Sequence, residues 1–157
     1  MRIDDELLHK GRNTSSIFYL GWETALQQLD STTYQIPKRF TLSKSINGEG
    51  DILIRFTEFS NSDGYSGFTK QVVDESNNQI LKAEITIYDI EKIGQEEFKT
   101  VFRHEMGHAL GLAHSSDPDD LMFTSIRTNY PYISECNLKA ISILYAEGHG
   151  NQVICEK

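Results

Sequence analysis

Apolar residues recur through positions 15–29 at Phe18, Trp22, Ala25, Leu26 and Leu29, the stripe of an amphipathic helix with one face to bury. Strand spacing follows. Positions 39–43 make a short candidate strand, and within 51–57 the residues Ile52, Ile54 and Phe56 share one face at period two. The polar, glycine-bearing stretch 61–67 reads as a loop. A hairpin is predicted from 68–74 and 80–88 about a turn at Asn77-Asn78, with Leu81, Ala83, Ile85 and Ile87 inward and Lys82, Glu84 and Thr86 outward.

Helical spacing returns near Gln95. Glu96 and Glu97 lie where the helix dipole favours negative charge, and Phe98, Phe102 and Ala109 form the buried stripe. Gly111 should end this helix, because glycine enters the left-handed backbone region without a side-chain clash. A last helix fits 135–146, with Ser134 as N-cap and Leu138, Ile141 and Leu144 on one face. The order helix, strands, helix, helix predicts an α+β fold with three helices on a mixed, twisted sheet. No repeat, low-complexity tract or proline-rich linker divides it, so residues 1–157 read as one domain.

Composition narrows the partners. With 38% hydrophobic and 24% charged residues the chain is an ordinary globular mix, and its 157 residues suit a single core. The formal charge is −8 and no Lys/Arg run exceeds a pair, which gives no footprint for nucleic acid or an anionic membrane surface. The longest apolar stretches, 17–20 and 141–146, fall far short of the roughly 18 residues that span a bilayer, so a soluble protein is expected. The charged start, Met1-Arg2-Ile3-Asp4-Asp5-Glu6, lacks the apolar core of a signal peptide. Cys136 and Cys155 read most plainly as two free thiols; the alternative is one bridge tying the tail to the last helix, which favours an oxidising compartment.

One segment carries chemistry: His104-Glu105-Met106-Gly107-His108-Ala109-Leu110-Gly111-Leu112-Ala113-His114. Residues four apart project from one helix face, so His104 and His108 can offer two imidazole nitrogens to one zinc ion about 2.0–2.1 Å away. Glu105, about 100° further round the helix, falls beside the metal, where its carboxylate can activate a zinc-bound water. Gly111 lets the chain swing back so that His114 reaches the same ion, and three imidazoles leave a fourth, open position, as catalytic zinc sites do.

These residues resemble the signature of the metzincin metallopeptidases, H-E-x-x-H-x-x-G-x-x-H followed by a methionine-bearing turn, here with Met122. Ser115 directly after the third histidine, then Asp117-Pro118 and Leu121-Met122, look most like the matrixins, the matrix-metalloproteinase type. Trp22, the strand 51–56 and the helix 138–145 also have matrixin-like counterparts, although only 104–122 is highly specific. The resemblance implies a metzincin-like catalytic domain that is a monomeric, extracellular, zinc-dependent endopeptidase acting on peptides or proteins. Its catalytic residue would be Glu105, its zinc ligands His104, His108 and His114, and Met122 would be the Met-turn floor rather than a ligand. It further implies an extended substrate on the edge 67–73, contacting Gly67, Phe68 and Thr69. Positions 123–132 would line the pocket for the residue after the scissile bond, where Tyr130 and Tyr132 serve either as lining or as packing aromatics.

The departures from the family pattern also set expectations. Animal matrixins hold a structural zinc and calcium ions in the loop before the edge strand; the spare histidines here, His9 and His149, lie elsewhere, so one zinc is expected and calcium is left open. Asp117, Asp119 and Asp120 read as a solvated acidic loop. Thr124 stands where astacins and serralysins carry a tyrosine, and Cys136-Asn137 replaces the acidic pair that opens the last matrixin helix. A zinc-binding, non-proteolytic peptide-binding module on the same fold is the alternative; such a binder loses nothing by losing Glu105, whose presence favours the enzyme. A glutamate third ligand, as in gluzincins, is disfavoured by His114 at the metzincin offset.

Overall fold

The computed structural model describes residues 21–30, 36–41, 48, 50–126 and 132–147. Tyr130, Cys155, His9, His149 and the first six positions of the expected 15–29 helix lie outside the described residues. Among those described, one helix, three strands and two helices follow in the order the hydrophobic pattern predicts: α1 (Trp22–Leu26), β1 (Ile52–Phe56), β2 (Gly67–Asp74), β3 (Gln79–Ile87), α2 (Gln95–Ala109) and α3 (Glu135–Glu147). The strand order is β1-β3-β2, with β1 parallel and β2 antiparallel to β3, so the sheet is mixed and β2 lies at one edge of it.

The core forms where the inward faces meet. Ile52 and Ile54 pair with Ala83 and Ile85, and these, with Ile87, bury against Phe98, Val101, Phe102 and Met106 of α2. At roughly 25 cal/mol per Å² of apolar surface, each such side chain contributes about 1.5–3 kcal/mol of burial energy, which is what holds α2 to the sheet. Trp22 and Leu26 of α1 close the same core. The Trp22 indole Nε1 donates to the Arg103 carbonyl at 2.9 Å, tying α1 to α2 one residue before His104.

Two strand expectations are corrected. Leu81 is not inward: it is 54% exposed. The ladder pairs Val72 with Lys82 and then Val73 with Ile80, so Leu81 is the extra residue of a β-bulge, which breaks the two-residue alternation. Ile80 turns toward α2 in its place, close enough to touch a Cβ added at Gly111. The second concerns the strand at 39–43: positions 39–41 carry no ladder and 42–43 lie outside the described residues. The Phe40 amide is instead bonded to the Glu23 carboxylate at 3.0 Å.

The predicted ends of α2 and α3 hold, whereas α1 stops at Leu26 instead of running to Leu29, and Gly21 before it takes a left-handed φ of 85°. Gly111 takes φ 107°, with its N–H on the His108 carbonyl and the Leu112 N–H on the Gly107 carbonyl, the two bonds of a Schellman cap. Ser134 caps α3 through its Oγ, which accepts from the Asn137 N–H at 3.1 Å. Cys136, in the first turn of α3, is disulfide-bonded, so the reading of two free thiols gives way to the bridge; its partner lies outside the described residues. No helix among the described residues is long and apolar enough to cross a membrane.

Candidate metal centre

Helix α2 presents His104 and His108 one turn apart, and the Gly111 cap sends the chain back so that His114 joins them. Nε2 of His108 lies 3.1 Å from Nε2 of His104 and 3.1 Å from Nε2 of His114. Neighbouring rings meet nearly perpendicular, at 86° and 81°, so nitrogen tips rather than ring faces converge.

Backbone carbonyls decide which nitrogen faces the centre. Nδ1 of His104 lies 2.7 Å from the Leu121 carbonyl, and Nδ1 of His108 lies 2.8 Å from the Leu112 carbonyl. A carbonyl only accepts, so each Nδ1 is the N–H donor and each Nε2 keeps a bare lone pair. Two lone pairs 3.1 Å apart repel unless a cation lies between them. Ligand nitrogens 2.0–2.1 Å from a tetrahedral ion are about 3.3 Å from one another, so the observed spacing and donor set fit a single zinc ion. Burial pushes the His104 imidazole down to about 4, with the neighbouring histidines adding to the shift and the Leu121 bond opposing it. His108 and His114 move the same way, again first through burial. All three shifts favour the uncharged imidazole, the form that offers a lone pair to a metal ion.

Glu105 is buried beside this cluster and is covered by the edge strand. The Thr69 hydroxyl donates to Glu105 Oε2 at 2.6 Å and lies 3.1 Å from the Glu105 carbonyl oxygen. Burial raises the Glu105 carboxyl to about 7, while the Thr69 bond pulls in the opposite direction. Gly67 lets β2 come this close: a Cβ there would sit 2.7 Å from Val101 Cγ1 and 2.8 Å from both Glu105 Cγ and Oε1. Further along β2 the Gln71 amide bonds the His108 carbonyl, while Phe68 faces away and is exposed.

Beneath the histidines the chain after His114 folds back on itself. The Ser115 N–H bonds the Met122 carbonyl at 2.8 Å. Met122, 1% exposed, packs its sulfur under Gly107, leaving no room for a Cβ at that position. Tyr132 is 60% exposed with the Arg103 guanidinium 6.0 Å from its ring centre, a cation–π contact with α2.

Asp120 is not part of a solvated loop. Its carboxylate accepts hydrogen bonds from the Met122 N–H at 2.8 Å, the Ser134 hydroxyl at 2.9 Å and the Asn137 amide at 3.0 Å. Neither this role nor those of Leu112 and Leu121 follows from residue spacing, since backbone carbonyls leave no mark in a sequence. The one legible signal is the capping pattern Ser134-x-x-Asn137, which places a side-chain amide at the start of α3.

A three-histidine cluster on a helix and its returning loop, beside a mixed sheet, is a group that could hold a metal ion, and the comparison with known families places it: the chain belongs to the matrixin family, whose model matches residues 20–146. Among curated proteins it is similar to matrix metalloproteinase-20 of Homo sapiens, 34% identical over 133 residues. That match covers 78% of this chain and 26% of the relative, so the chain spans about a quarter of the curated protein's length.

Proposed function

We propose that this protein is a zinc-dependent endopeptidase in which His104, His108 and His114 hold one zinc ion and Glu105 moves the proton of peptide hydrolysis. The observation that carries the reading is the convergence of three imidazole nitrogens, two with their lone pairs turned inward by backbone carbonyls, next to a buried carboxylate. When bound, zinc supplies Lewis acidity, lowering the pKa of water and taking up charge on the substrate carbonyl oxygen. Glu105 accepts the proton of the attacking water and returns it to the amide nitrogen as the C–N bond breaks. Met122 acts as the Met-turn, a packing floor for the histidines.

Extended peptide docks along β2, adding a strand to the sheet edge and using the backbone of Gly67, Phe68 and Thr69. This is supported by the position of β2 at the edge of the sheet and directly over Glu105. The segment starting at Phe123 forms the wall for the residue after the scissile bond, with Tyr132 and Tyr130 at its far end. The protein acts as a monomer outside the cell, a placement supported by the Cys136 disulfide, since such bonds persist in oxidising compartments.

Cleavage-site profiling of an unfolded-protein or peptide library, with and without a chelator, tests the reading. Cleavage that needs zinc and disappears in Glu105→Ala supports it. Zinc-loaded protein that cleaves nothing, or a Glu105→Ala variant that cleaves as the parent does, overturns it.

A further inference from the structure

Two of the three histidines depend on the tripeptide 120–122. The Leu121 carbonyl orients His104 at 2.7 Å, and the Met122 carbonyl holds the Ser115 N–H, next to His114, at 2.8 Å. What anchors the tripeptide is a side-chain network at the start of α3. Asp120 Oδ1 accepts from the Met122 N–H at 2.8 Å and from Asn137 Nδ2 at 3.0 Å; Oδ2 accepts from Ser134 Oγ at 2.9 Å and from the same amide at 3.3 Å. Asn137 is fully buried, and its own oxygen accepts the Ser134 N–H at 2.9 Å. A carboxylate suits this place because each of these partners offers a donor and its two oxygens can accept all of them.

We propose that Asp120 is a positioning residue for the metal site: through Asn137 and Ser134 it clamps the 120–122 turn to α3, and the turn in turn sets the His104 imidazole and the return of His114. The proposal rests on the metal-site reading above. It assigns the Asp120–Asn137 pair a role that a helix cap alone does not have, because a cap stabilises α3 without determining how well the histidines hold a metal.

The test compares the parent protein with Asp120→Ala, Asp120→Asn and the double exchange Asp120→Asn with Asn137→Asp. Each is measured for zinc affinity by competition with a chromophoric chelator and for the visible absorption of its cobalt(II) form. Asp120→Ala should bind zinc about 10- to 100-fold more weakly, the loss usual when a partner of a metal ligand's supporting shell is removed, and its cobalt bands should shift or weaken. The exchange keeps one carboxylate and one amide in the pair and should recover most of the affinity and the parent spectrum. Circular dichroism shows which variants fold; if Asp120→Ala does not, the near-isosteric Asp120→Asn carries the same expectation. Folded Asp120 variants with parental zinc affinity and cobalt spectrum, even with lowered thermal stability, overturn the proposal alone. A parent protein that binds no zinc overturns the metal-site reading and this proposal with it.

Discussion

Thr69 Oγ1 lies 2.6 Å from Glu105 Oε2, a contact between an edge strand and a helix that are 36 positions apart in the chain. A hydroxyl that donates to a carboxylate fixes its rotation, and Thr69 does so at the group proposed to move the proton. Thr69→Val keeps the shape and removes the donor. We expect kcat to fall by about 10-fold, the scale of one hydrogen bond to a charged group, with KM and zinc content nearly unchanged. Steady-state kinetics on a peptide taken from the profiling library decides it; a raised KM with intact kcat would instead make the side chain a substrate contact.

Gly67, which faces α2 from the edge strand, and Gly107, within α2, are both spacers. A methyl group at Gly67 meets Val101 and Glu105 within 2.8 Å, and one at Gly107 meets the Met122 side chain. Gly67→Ala and Gly107→Ala should each destabilise by about 1–3 kcal/mol, the usual cost of overpacking, read as a lower urea midpoint with an unchanged slope. Gly67→Ala should also depress activity beyond its effect on stability, because the strand must retreat from Glu105.

Zinc bound to the folded protein alone should stabilise it. At free zinc 100-fold above Kd the gain is about 2.7 kcal/mol, or about 5–10 °C in Tm for a chain of this size. Excess chelator should remove that increment. His114→Ala should abolish it while leaving the fold intact, since His114 is exposed, whereas His104, 2% exposed, should cost stability when truncated even without metal. Scanning calorimetry with and without zinc measures all three.

Tyr145 sets an alkaline limit. Its hydroxyl donates to the Leu110 carbonyl at 3.2 Å, and burial pushes its pKa up to about 12 from 10.0. Above pH 10 the unfolded chain releases this proton while the folded one keeps it, so the contribution is complete below pH 10 and is lost as pH rises toward 12. The full loss is about 2–3 kcal/mol. Tyr145→Phe should be less stable by about 1 kcal/mol at pH 7, for want of one hydrogen bond, yet fall less steeply between pH 10 and 12. Urea unfolding across that range shows the two curves crossing if the assignment is right and keeping a constant gap if it is wrong.

Much of the site is legible without coordinates because it is local. The offsets of His104, Glu105 and His108 become angles on a helix, Gly111 becomes a left-handed cap, and the period-two runs about Ile54 and Ile85 become the inner face of a sheet. Each of these follows from the backbone geometry of a few neighbouring residues. Other features are non-local. Leu81 is turned outward by a bulge that depends on the register with Val72 and Val73, a choice made by two strands together. The Phe40 amide, at a position the pattern reads as strand, bonds the Glu23 carboxylate, a partner 17 positions away.

The sequence by itself therefore determined the helical face, the three imidazoles and the carboxylate, since 3.6-residue periodicity and a glycine stop act over one or two turns. Only the tertiary structure decided which nitrogens face the centre, which hydroxyl holds Glu105 and what anchors Met122. Those answers come from Leu121, Leu112, Thr69 and the Asp120–Asn137 pair, groups brought together by burial of the shared core and joined by short-range hydrogen bonds that no spacing along the chain can encode.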